Sequence, residues 1–221
     1  MAATMSKTLL TTAGAMGAAG TGVGGYFLLS NNKIDESLLI RSKYKVSVLS
    51  KSGEESLWDK KYEAIKNSSP HNQTLKKAVA KSSGTDKNDE EAKKLLKQGC
   101  FEIYESSYED ANNFSDFKNY CAKTNKDISK VTSWNTDTSE NNTNNKWDKA
   151  LESLKSHTVE TKGKLDPVLE KLKTELTGNT PFSTTIRARF KSWCESTNKG
   201  LFEGEESTAF RNQEDFCKEI T

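Results

Sequence analysis

A chain of 221 residues with 33% apolar and 29% charged residues has too little oily content for one large core. Its formal charge of +2, with Lys and Glu interspersed throughout, argues against a nucleic-acid binder, which would carry a basic stripe or tail. Two halves of about 75 residues each would be marginal without cross-links, and the chain supplies cysteines outside any CxxC arrangement to make them.

Residues 8–29 carry no charge and follow Lys7, and a run of that length can cross the hydrocarbon core as a helix. Six Gly, four Ala and four Thr make it only weakly apolar, so residues 1–30 read as a membrane anchor or a signal peptide. Small residues at Ala13-Gly14-Ala15 and Ala18-Ala19 offer cleavage sites, while the Tyr26-Phe27-Leu28-Leu29 cluster beyond them favours a retained anchor. Gly20 to Gly25 formally satisfies GxGxxG, but it lacks the flanking strand, helix start and acidic residue of a dinucleotide site. Close packing of a membrane helix at Gly20 and Gly24 explains it better.

Residues 31–55 are polar and mixed, and read as a spacer in which Tyr44 to Leu49 alternates like a lone strand. A first helical unit is expected over residues 56–128. Ser56 with Asp59 resembles a capping box, and Trp58, Tyr62 and Ile65 share a helical face. Pro70 ends that helix, and Leu75 and Val79 mark a second one closing at Gly84 as a left-handed cap. Asn88 with Glu91 opens a third helix, whose inner face holds Ala92, Leu95 or Leu96, Cys100 and Ile103. A turn over Ser106 to Asn113 leads to a fourth helix carrying Phe114, Phe117 and Cys121.

Residues 129–145 are rich in Ser, Thr and Asn and read as a linker, with Trp134 as its one large apolar residue. Residues 146–221 then repeat the first unit. WDKALESLK at 147–155 answers WDKKYEAIK at 58–66, so Trp147 and Asp148 stand where Trp58 and Asp59 stood, with Asn145 in the place of Ser56. Asp166 and Pro167 start a second helix whose apolar face is Leu165, Val168, Leu169, Leu172 and Leu176, ending at Gly178. Thr180-Pro181 opens a third with Phe182, Ile186, Phe190 and Cys194, and Phe210 precedes Cys217 by seven residues, as Phe114 precedes Cys121. The step from Gly to first Cys is 16 residues in both halves. The expected fold is therefore all-α: an N-terminal membrane helix followed by two small, similar, disulfide-stapled helical units.

Only the pairing Cys100–Cys121 with Cys194–Cys217 respects the repeat among the three that four cysteines permit. Structural disulfides are preferred to a catalytic Cys194, because Glu195 beside it would raise a thiol's pKa. They are also preferred to a metal site, because neither His71 nor His157 forms a ligand pair. Trp58 and Trp147 read as core anchors, and Asp59 and Asp148 as first-turn carboxylates offsetting the helix dipole. No cofactor is expected. Sequons at Asn67, Asn72, Asn113 and Asn141 matter only in a eukaryotic secretory pathway. Lys33, Arg41, Lys43 and Lys45 beyond the span, against Lys7 before it, would by the positive-inside rule keep the body in the cytoplasm. Disulfides persist in oxidising compartments, and this weighs more: the body is expected outside, on the membrane through residues 8–29 or released if the leader is cut.

The Lys-led opening, the Gly/Ala span ending in GGYFLLS, and the Trp-Asp-Lys, Trp-Cys and late-Cys pattern resemble the paralogous families of short surface or exported proteins of haemotropic mycoplasmas. The resemblance covers most of the chain. It implies a single-membrane bacterium and a protein displayed on its surface, in contact with a host-cell or host-protein ligand or varying under immune pressure. It transfers no catalytic or binding residue. The leading expectation is thus a non-catalytic interaction or antigenic module. A membrane-tethered scaffold facing the cytoplasm is the alternative, and a Cys-dependent hydrolase the third.

Overall fold

Side-chain oxygens placed just ahead of apolar runs start most of the helices. The computed structural model describes residues 34–140, 144–178 and 181–220, and every regular element in it is helical. Extended backbone among the described residues pairs only at four isolated bridges. After a 3-10 turn at Glu36–Leu38, the helices of the first half are α1 (Ile40–Lys43), α2 (Glu55–Ile65), α3 (Gln73–Ser82), α4 (Asp89–Tyr104), α5 (Ala111–Asp116), which runs on into a π-helical turn at Phe117–Cys121, and α6 (Asn125–Ile128). Those of the second are α7 (Lys146–Lys155), α8 (Val159–Lys162), α9 (Pro167–Glu175), α10 (Thr184–Lys199) and α11 (Thr208–Phe216). Asn72, Asn88, Asp110, Asn145, Asp166, Ser183 and Ser207 each accept first-turn amide protons, the groups that a helix leaves unpaired at its start. The expected membrane helix at 8–29 and the glycine cluster within it lie outside the described residues. None of the described helices is long and apolar enough to cross a membrane.

Two apolar clusters form the interior. The first gathers Trp58, Tyr62 and Ile65 of α2, Leu75 and Ala78 of α3, and Ala92, Leu96, Cys100, Ile103 and Tyr104 of α4 around Phe117 and Cys121. It also takes in Ile40 and Leu49, with Tyr44 and Val48 packed against it. Residues 36–49 are therefore not a spacer. Burying Leu39, Ile40 and Leu49 outweighs the polar residues between them, of which Lys43 and Lys45 face outward and Ser47 is buried with its hydroxyl hydrogen-bonded. The expected lone strand there reduces to one bridge, Val48 with Ala122. The second cluster joins Trp147, Leu151 and Leu154 of α7, Leu169 and Leu172 of α9, Phe190, Trp193 and Cys194 of α10, and Phe216 with Cys217.

The polar stretch 129–145 is no free linker either. Its backbone serves the second half: the Asn135 amide donates to Cys217 O at 3.0 Å, and the Glu219 amide to Ser133 O at 2.8 Å. Asp137 O accepts from Trp147 Nε1 at 2.8 Å. Ser129 donates to Glu214, and Trp134 packs against the second core. Low apolar content here reflects a segment held by hydrogen bonds rather than one left loose.

Several expected boundaries shift. Helix α2 starts one residue before Ser56, with Glu54 as the flanking residue and no side-chain cap. Glu54 instead accepts from the Ser50 amide at 2.6 Å and pairs with Lys123 at 2.7 Å. Asp59 consequently sits one turn in, exposed and paired with Lys93. Helix α9 stops at Glu175, three residues before Gly178. Helix α10 begins after Ser183 rather than at Thr180-Pro181, of which Thr180 lies outside the described residues, because the Ser183 hydroxyl reaches the Ile186 amide. Val168 points outward while Leu165, Leu169, Leu172 and Leu176 are buried. Gly84 and Gly178 do adopt the left-handed backbone, at φ +82° and +76°.

Gly99 explains a difference between the halves. A β-carbon there would come within 2.6 Å of Leu75 Cδ2 and 3.2 Å of the Leu75 backbone nitrogen. Its absence lets α3 lie close along α4. With Cys194 aligned on Cys100, the position of Gly99 is taken in the second half by Trp193, and α9 and α10 do not make the same intimate contact.

Residues Ile34–Thr221 form one compact unit, and the halves meet along a seam. The Ser47 hydroxyl donates to Phe202 O at 2.7 Å, and the Phe202 amide to Lys123 O at 3.0 Å. The Asn125 amide donates to Gly200 O at 3.0 Å, and its side chain to Thr197 O at 3.0 Å.

Candidate functional site

All four cysteines are oxidised. Cys100 is bonded to Cys121 and Cys194 to Cys217, with Cα atoms 5.2 and 5.6 Å apart. In each half the bond ties the long third helix to the segment closing that half, and all four residues are buried. Tyr104 locks the first staple further. Its hydroxyl donates to Cys121 O at 2.6 Å and accepts from the Leu49 amide at 3.2 Å. Burial pushes that phenol well above the ordinary tyrosine value. With the sulfurs committed, Cys194 offers no thiolate for attack, which removes it as a nucleophile while the bond is intact.

The two Trp-Asp-Lys openings do matching work. Trp58 donates its indole N–H to Ser50 O at 2.9 Å, and Trp147 donates to Asp137 O at 2.8 Å. Each large ring is thus buried with its one polar atom satisfied by the chain just ahead. The aspartates then reach across to the third helix. Asp59 pairs with Lys93 at 2.7 Å, and Asp148 grips Arg187 through Nε at 2.7 Å and Nη2 at 2.5 Å. Lys93 and Arg187 both stand seven residues before the first cysteine of their half.

These pairs differ in setting. The Asp59–Lys93 pair is open to water, whereas Arg187 is fully buried and Asp148 nearly so. Arg187 also donates to Glu140 O at 3.1 Å. A first-turn carboxylate offsetting the helix dipole is therefore an incomplete account of Asp148. Its main partner is a guanidinium that the sequence reading missed. The signal was present: Arg187, Phe190 and Cys194 share the inward register of α10.

The histidines are far from any such role. His157 is buried against the Phe216 ring with Nε2 2.9 Å from Gly163 O, and His71 binds Asp116 through its amide at 2.8 Å and its ring at 3.3 Å. Among the described residues, no three His, Cys, Asp or Glu side chains gather as metal ligands. A third acidic group, Asp127, joins α6 to α2 through Lys61 at 2.7 Å. Burial alone would raise its carboxyl, but the bond and charge of Lys61, helped by the Thr124 amide and hydroxyl, hold it below the usual value. Tyr62 is pushed up to about 12 by burial and by its hydrogen bond to Asp89.

The geometry that results is a stapled helical body whose polar interior serves its own folding. No protein-family model, curated protein or solved structure matches the chain.

Proposed function

We propose that this chain is an exported, membrane-anchored protein whose helical body acts by contacting a partner outside the cell rather than by catalysis. The observation that carries the reading is the double disulfide: both bonds are buried and each fastens one half, an arrangement suited to an oxidising compartment. Residues 8–29 would supply the anchor, and the resemblance to surface proteins of haemotropic mycoplasmas supplies a host ligand as the kind of partner. We also read the halves as copies of one unit. The helix caps Asn72 and Asp166, the left-handed Gly84 and Gly178, and Cys100 and Cys194 all keep a constant offset of 94 residues.

Labelling thiols on intact producing cells, with and without reductant, tests this. The expected result is no labelling until a reductant is added together with a denaturant, and digestion of the body by external protease. Four reactive thiols without reductant would defeat the proposal.

A second reading, a scaffold facing the cytoplasm, draws on the positive residues beyond the span. A body that survives protease on intact cells would favour it.

A further inference from the structure

A groove of about 640 Å³ opens where α2, the turn after Phe117, α6, the connecting segment and the end of α10 come together. Its walls carry Lys60, Lys118, Lys126 and Lys199, and Trp134 stands among them. Asp127 is the one acidic group among the described lining residues, and it is shared between Lys61 at 2.7 Å and Lys60 at 3.6 Å. Among the described residues, Lys118 and Lys126 have no carboxylate partner; they rest over the rings of Phe114 and Trp134 at 5.0 and 5.7 Å. Lys199 has no ion pair either. What sets the groove apart is the gathering of four lysines around one concavity, with a single carboxylate among the described lining residues. Positive charge left uncompensated inside a concavity focuses the field there and attracts anions.

The lining also suits more than a bare ion. Trp58, Trp147 and Trp193 are buried, while Trp134 is half-buried and lines the groove with Lys126 over its ring. Asn198, on the opposite wall, holds its Oδ1 without a hydrogen-bond partner, an acceptor that a hydroxyl would satisfy after a small side-chain turn. Of the carbonyls at the end of α10, which would repel an anion, Thr197 O accepts from the Asn125 side chain, and Gly200 O just beyond accepts from the Asn125 amide. The volume lies within the range of small-ligand sites.

We propose that this groove binds a short acidic sugar chain, with sulfate or carboxylate groups on the lysines, one ring against Trp134 and a hydroxyl toward Asn198. The placement of such a sugar on a host surface rests on the exported reading above; the binding itself does not. The test uses the purified full chain in detergent and follows tryptophan fluorescence during titration with a sulfated hexasaccharide. The expected result is saturable binding that weakens with salt, and at least tenfold weaker binding in Lys118→Glu/Lys126→Glu and in Trp134→Ala. Lys76→Glu/Lys77→Glu, on the outer face of α3, should bind like the unaltered chain. The desulfated hexasaccharide should bind at least tenfold more weakly, and a single-stranded oligonucleotide of equal charge no better than the sugar. Absence of saturable binding, equal losses in the α3 variant, or preference for the oligonucleotide would each overturn the proposal. Circular dichroism confirms that the variants fold. Because the assay uses pure protein, its failure leaves the thiol-labelling and protease results untouched.

Discussion

Replacing Asp148 with Asn should cost the protein far more than the same change at Asp59, although the two occupy matching places in the Trp-Asp-Lys openings. At Asp148 the substitution removes the carboxylate that the fully buried Arg187 guanidinium holds through two nitrogens. Breaking a buried pair on one side costs about 3–5 kcal/mol, much of it the penalty of a buried charge left uncompensated. For a chain of this length each kcal/mol moves the melting midpoint by about 2–4 °C, so the loss should lie between ~6 and ~20 °C. Asp59 and Lys93 sit in water, where an ion pair is screened and entropically costly to hold, so Asp59→Asn should leave the midpoint essentially in place. Thermal melts followed by far-ultraviolet circular dichroism, under oxidising conditions, read both. The double change Asp148→Leu with Arg187→Met should recover most of the loss, since no lone charge then remains buried. Equal shifts at the two aspartates, or a double variant no better than Asp148→Asn, would refute the reasoning.

Three further outcomes are expected. Cys100→Ser/Cys121→Ser and Cys194→Ser/Cys217→Ser should each lower stability by about 3 kcal/mol in urea unfolding, the loop-closure entropy for bonds spanning 21 and 23 residues. Gly99→Ala should destabilise by about 1–3 kcal/mol because the added carbon meets the Leu75 backbone, which cannot simply rotate away; no change in the urea midpoint would show that α3 shifts freely. Asp127, whose carboxyl is held below its ordinary value near 3.8, stabilises the fold above that pH and loses the contribution as pH falls through its lower folded value. The stability gap between the unaltered chain and Asp127→Asn should therefore be full at pH 6 and narrow below pH 3.8; a gap that widens on acidification would contradict the sign.

What could be read from the residues followed from local rules. Asn88 and Asp166 announce their helices because a short side-chain acceptor sits directly before free amides. The cysteine pairing was legible because only one connectivity respects the shared spacing. Ser56 misled for the same local reason: it has a carboxylate three residues on, but Glu54 is fixed first by Ser50 and Lys123, contacts across the fold that spacing does not encode. Residues 36–49 looked like a spacer because polar residues interrupt their apolar ones, yet Leu39, Ile40 and Leu49 among these are buried. The segment 129–145 was misjudged by composition, since its attachment runs through backbone carbonyls and amides that every residue carries. Arg187 was passed over because a cation on an inward face looks like an exception until its carboxylate is found opposite.

The hydrogen-bonded junction of residues 47 and 123–125 with 197–202 has an outcome for heredity as well as for shape. Beads on a string can be lost, shuffled or multiplied one at a time. Here an excised half would expose amides and carbonyls that now answer one another, so recombination that swaps a single half must bring compatible edges with it. An antibody raised against the intact surface should then recognise ground shared by both halves, which neither would display by itself.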